Sequence, residues 1–92
     1  MPTYGLEMRP VAGFTPKTYP SITEARKMAY RALTGNGKAK SCDVLRYSLQ
    51  FGDVEWADPI GTAFMQNGMV LYRINDGYTH ILNKDGTLGR RF

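Results

Sequence analysis

The residues able to do chemistry in this 92-residue chain are few: one histidine, His80, one cysteine, Cys42, and one carboxylate cluster, Asp53, Glu55 and Asp58. In an extended chain Asp53 and Glu55 point the same way. A hard cation such as Mg²⁺ or Ca²⁺ needs several oxygens converging on one point, and two carboxylates with an unplaced third fall short of that. The spacing is not that of an EF-hand loop, so a solvated acidic loop accounts for the cluster, and no metal site is expected. A single histidine removes zinc sites built on paired histidines and leaves one general-base candidate, with no motif that brings a serine or Cys42 to it. A metal-dependent hydrolase using Asp53, Glu55 and His80 is therefore the most distant of the functional readings, and no enzymatic activity or cofactor is expected.

Lone Cys42 excludes an intrachain disulfide and suits a reducing compartment; its bland role is a small buried hydrophobe. Gly35-Asn36-Gly37-Lys38 follows a helix pattern instead of opening one, so it is not a phosphate-binding loop, which uses the amides of a helix N-terminus. What remains is a surface on which aromatic rings and cations alternate. Phe64, Arg73, Tyr78, His80, Lys84 and Arg91 fall on one face of the C-terminal strands, and Lys38 and Lys40 follow the helix. Single-stranded nucleic acid is held in this manner elsewhere, with bases on aromatic rings and phosphates on Arg and Lys. The competing explanation is a solvated sheet face whose apolar residues lie under Lys and Arg stems. The only tryptophan, Trp56, stands among Asp53, Glu55 and Asp58 and offers a second candidate, a protein-contact patch.

The elements that must position these groups are set by turn chemistry. Asn67-Gly68, Asp76-Gly77 and Asp85-Gly86 recur every nine residues, and each suits a hairpin turn because Gly, Asn and Asp tolerate positive φ. Three turns imply four antiparallel strands. Two-residue loops pair Gln66 with Met69, Asn75 with Tyr78 and Lys84 with Thr87, which puts Ala63, Met65, Val70, Tyr72, Ile74, Ile81, Leu88 and Phe92 on a core face. Phe64, Leu71 and Leu82 then join the opposite, basic face. Asn83 to Gly86 also fits a type I turn with a glycine bulge, which would swap the faces from Leu88 onward and exchange Arg90 for Arg91.

Upstream, Tyr4, Leu6 and Met8 alternate as in a half-buried strand over 3–9, and Pro10 to Pro20 forms a loop pinned by Phe14 and Tyr19. Ser21-Ile22-Thr23-Glu24 is a capping box that starts a helix at Ile22. Ile22, Ala25, Ala29, Ala32 and Leu33 form its apolar stripe with Met28 at the margin, and Gly35-Asn36-Gly37 offers a left-handed cap. Leu45, Tyr47, Leu49 and Phe51 mark a second strand, followed by an acidic connection over 52–59. The expected fold is α+β: a single domain over 1–92 with one amphipathic helix on a mainly antiparallel sheet, ordered strand, helix, strand and then a four-strand meander.

The net charge of +4 is uneven. Residues 1–40 hold seven Lys/Arg against two acids, whereas residues 41–92 hold five against six. That surplus is a weak attraction for polyanions. No signal peptide or run of roughly 18 apolar residues is present, so a cytoplasmic protein without membrane contact is expected. Two functions follow as expectations. One is a non-catalytic module that contacts nucleic acid or a nucleoprotein through the basic, aromatic sheet face. The other is a protein-binding adaptor or inhibitor of the kind encoded by phages or mobile elements, acting through Trp56 with Asp53 and Glu55.

Overall fold

The computed structural model describes residues 3–9, 18–35, 39–50 and 53–92, except the side chains of residues 8, 9, 49, 50 and 53–55. Its elements are β1 (Thr3–Arg9), α1 (Ile22–Thr34), β2 (Ser41–Gln50), β3 (Asp53–Gln66), β4 (Met69–Ile74), β5 (Thr79–Leu82) and β6 (Leu88–Arg91). The six strands form one antiparallel sheet in chain order, with the helix on one side of it. This is the α+β architecture expected from the sequence. Among the described residues no helix is long and apolar enough to cross a membrane.

The helix begins where the capping box places it. Ser21 is in extended backbone and its hydroxyl accepts from the Glu24 amide at 3.1 Å, satisfying one of the amides the first turn leaves free. Ala25, Ala29 and Leu33 are buried against the sheet, where the short alanines let the helix axis come close. Against them lie Leu6, Cys42, Val44, Ala63, Val70, Tyr72 and Leu82, with Ile22, Met28, Ile74 and Leu88 partly buried at the margins. At the other helix end Gly35 has φ −76°, so the expected left-handed cap is not formed at this residue; its amide instead donates to the Arg31 carbonyl at 2.8 Å. Asn36 to Lys38 lie outside the described residues.

Tyr19 pins its segment as expected. It is buried and exchanges two backbone hydrogen bonds with Tyr4, which seals the outer edge of β1 at that point. Phe14 lies outside the described residues.

Two expectations about the strands are corrected. The stretch 53–59 is not an acidic connection but the first half of a 14-residue β3, paired along its length with β2. Acids, Ala and Pro have poor strand propensity, but a partner strand overrides local preference. Pro59 is accommodated because the β2–β3 register shifts at Val44/Leu45, next to it, and proline is tolerated at such irregularities. The second strand also starts earlier, at Ser41. It buries both its sides: Cys42 and Val44 toward the helix, and Asp43, Leu45 and Tyr47 toward the far side of the sheet.

Only the first of the three turns is a two-residue loop. Asn67 and Gly68 both have positive φ, and Gln66 pairs with Met69. The second loop holds three residues, Asn75 to Gly77: the Ile74 amide donates to the Tyr78 carbonyl, the Gly77 amide donates to the Ile74 carbonyl, and Asp76 takes the positive φ. That one-residue difference puts Leu82 in the core and Ile81 on the far side, the reverse of expectation. The third turn is the glycine-bulge alternative. The Asn83 amide donates to the Thr87 carbonyl, the Gly86 amide donates to the Asn83 carbonyl, and Gly86 has φ +91°. The two differences cancel at Leu88, which pairs with Leu82 and stays on the core side.

Two tyrosines fill space left by glycines on opposite sides of the sheet. Tyr72 lies over Gly61 on the helix side and Tyr47 over Gly5 on the far side, each so close that a Cβ on the glycine would overlap the ring. Both rings are buried in consequence.

Candidate functional site

Directly paired residues of neighbouring antiparallel strands share a side of the sheet, so the register sorts the candidate residues. Phe64 pairs with Leu71, and Arg73 with Thr62 and Thr79, on the far side. His80 pairs with Tyr72 and Arg91, on the helix side. The expected single face is therefore two faces. The cause is the extra residue in the second loop, which turns β5 over relative to β4.

On the helix side, Tyr78, His80 and Arg91 come together at the end of β5 and β6. The Arg91 guanidinium lies over the Tyr78 ring, 4.3 Å from its centroid, and the ring is 65% exposed. An exposed cation–π contact of this kind is worth about 0.5–1 kcal/mol and holds both planes in place. A register shift between β5 and β6 has two consequences here: Arg91, and not Arg90, shares a side with His80, and the Gly89 carbonyl comes within reach of the His80 ring. His80 Nδ1 lies 3.2 Å from that carbonyl oxygen, which can only accept, so Nδ1 carries a proton and donates it. Phe92 follows, 64% exposed, its amide donating to the Thr79 carbonyl at 2.8 Å. It was expected in the core, as was Met65, which is 40% exposed; the β5–β6 register shift that keeps Arg91 on the helix side carries Phe92 to the other side, opposite Thr79.

Lys84 does not join this cluster. It is exposed in the third turn, at the opposite end of the β5–β6 hairpin and about 13 Å away along a four-residue strand. Lys40 is exposed just before β2, and Lys38 lies outside the described residues.

The far side has a different character. Across it runs a polar row, Glu7, Asp43, Thr62, Arg73 and Thr79, each directly opposite the next. Asp43 is buried and accepts from the Thr62 hydroxyl at 2.8 Å. Two carboxylates at one end of the row repel a polyanion, so Arg73 and Phe64 stand on a face less suited to nucleic acid than the Tyr78 end.

Trp56 is 59% exposed on β3, opposite Ser48 on β2. The backbones of Asp53 and Glu55 belong to the same strand, while their side chains lie outside the described set. The hydrolase trio is not assembled. His80 pairs with Tyr72 and Tyr72 with Ala63, whereas Asp53 and Glu55 lie eight to ten residues further along β3, about 25–33 Å away. Among the described residues no three His, Cys, Asp or Glu side chains form a group able to hold a metal ion. Cys42 is fully buried, and burial, reinforced by the neighbouring Asp43 carboxylate, pushes its thiol up to about 12. It has the environment of an inert thiol. Comparison with protein-family models, with curated proteins and with solved structures returned no match.

Proposed function

We propose that this chain is a non-catalytic binding module that contacts single-stranded nucleic acid through the Tyr78 end of its sheet. The observation that carries this reading is the Arg91 guanidinium held 4.3 Å from the centroid of an exposed Tyr78 ring. One face of the exposed ring carries the guanidinium, the remaining ring surface is what a base would stack on, and Arg91 supplies charge for a phosphate. A duplex would hide its bases from such a surface, so unpaired strands are preferred. Titration of labelled single- and double-stranded DNA and RNA followed by fluorescence anisotropy tests it: saturable binding of single strands that weakens steeply with salt supports the reading, and no binding at low salt removes it.

A second reading rests on Trp56, which is 59% exposed on β3 and is of a residue type enriched in interface hot spots. In that reading the chain is a protein-binding adaptor or inhibitor of the kind encoded by phages or mobile elements, with Trp56 as the anchor that enters a pocket on the partner.

A further inference from the structure

The sheet has unequal edges. β1 is sealed at Tyr4 by the bridge to Tyr19, whereas among the described residues nothing pairs with the outer edge of β6. A second open stretch lies inside the strand order. β4 runs beside β3 only along Gly61–Gln66, and the Asn75 backbone amide and side chain bond the carbonyls of Ile60 and Pro59. From Asp53 to Asp58, β3 has β2 on one side and no described strand on the other. Among the described residues these are two strand stretches whose outer backbone donors and acceptors face no neighbouring strand, each a template for another strand.

The two rows have opposite charge. β6 carries Arg90 and Arg91 and no acid, while Asp53 to Asp58 carries three acids and no base. Charged residues on an edge ordinarily prevent edge-to-edge pairing. Here they prevent it only between like edges: two copies of β6 would bring four arginines together, and two copies of the β3 stretch six carboxylates. The unlike pairing matches charge with charge.

We propose that this chain associates head to tail with copies of itself, the β6 edge of one copy adding as a strand to the Asp53–Asp58 edge of the next. The contact is heterologous, so each copy keeps one open edge of each kind and assembly continues beyond a dimer into rings or short filaments. With a ladder of about four residues on each strand the contact is small, and the association is weak and strongly dependent on salt. It uses the strand edge and its flanking charges, and does not depend on whether Tyr78 binds a base.

Sedimentation velocity of the pure protein without nucleic acid tests it. At low salt the weight-average mass should rise with concentration past twice the 10.3 kDa of one chain, and fall back to 10.3 kDa at high salt. The double variant R90E/R91E and the triple variant D53K/E55K/D58K should each remain monomeric at low salt, and an equimolar mixture of the two should associate again, because each supplies the edge the other repels. Recovery in the mixture also shows that both variants are folded. A wild-type protein that is monomeric at every concentration at low salt, an assembly that stops at a dimer, or a mixture that stays monomeric would overturn the proposal.

Discussion

Gly86 packs against the Thr23 carbonyl so closely that a Cβ there would overlap it, and that Cβ would also come within 2.9 Å of the Lys27 amide nitrogen. The third hairpin turn is thus seated on the first turns of α1. Arg26 fastens it by donating from Nε to the Gly86 carbonyl at 2.8 Å while its guanidinium lies 5.5 Å from the Tyr72 ring centroid. Within the turn, Asp85 accepts from the Thr87 amide and hydroxyl at 3.1 and 2.6 Å, which holds its carboxyl below the ordinary range. This seat fixes the β5–β6 hairpin, and with it Tyr78 and Arg91, relative to the helix. Gly86→Ala should cost ~2–4 kcal/mol, from positive φ together with displacement of the helix turn. Gly68→Ala, also at positive φ but with nothing within 4 Å of the added methyl, should cost only ~1–2 kcal/mol. Urea denaturation of both variants measures the difference, and equal losses would show that the seat contributes nothing.

Alkaline pH should unfold the protein through groups that the core keeps protonated. Burial raises the Cys42 thiol from 9.0 to about 12, and raises Tyr72 from 10.0 to about 12 against the opposing pull of Arg26. The unfolded chain releases these protons earlier than the folded one, so the stability they protect is complete below pH 9 and is lost as pH rises from there toward 12. The expected slope approaches ~1.4 kcal/mol per pH unit for each group. Stepwise urea denaturation between these limits should show it, with the decline starting later in Cys42→Ala. At neutral pH a thiol reagent should leave Cys42 untouched until the protein is unfolded.

Much of this fold was legible in the residues. The capping box located the helix start to the residue, because the Ser21 hydroxyl and the Glu24 amide interact within four positions of chain. The three Gly-containing turns gave four strands, because each turn is also a local event. Faces were less legible. Asp76-Gly77 and Asp85-Gly86 carry the same dipeptide signature as Asn67-Gly68, yet both close loops of three residues. The site was divided by this single residue of loop length, which sends His80 to the helix side and leaves Arg73 on the other. The pairing of the acidic 53–59 stretch with β2 was illegible for a related reason: it rests on a partner strand and a register shift, not on the propensity of the residues themselves.

Trp56 should be dispensable to the fold. Its exposure predicts that Trp56→Ala changes stability by no more than about 0.5 kcal/mol, as surface substitutions do, and that its fluorescence in the native protein is readily quenched by acrylamide. A blue-shifted, protected emission would mean that the ring is covered in solution and would remove it as the anchor for a protein partner.

Anisotropy titration of a labelled single-stranded oligonucleotide against wild type, Tyr78→Ala, Arg91→Ala and Arg73→Ala, each across a salt series, tests the nucleic-acid reading most directly. Loss of a stacked base at Tyr78 should weaken binding by about 1–3 kcal/mol, roughly 5- to 150-fold. Arg91→Ala should weaken it and reduce the salt slope by about one unit, while Arg73→Ala, on the far side beside the Asp43 row, should leave both nearly unchanged. Equal losses for Arg73 and Arg91, or an affinity indifferent to Tyr78→Ala, would contradict the assignment of this function to the Tyr78 end of the sheet.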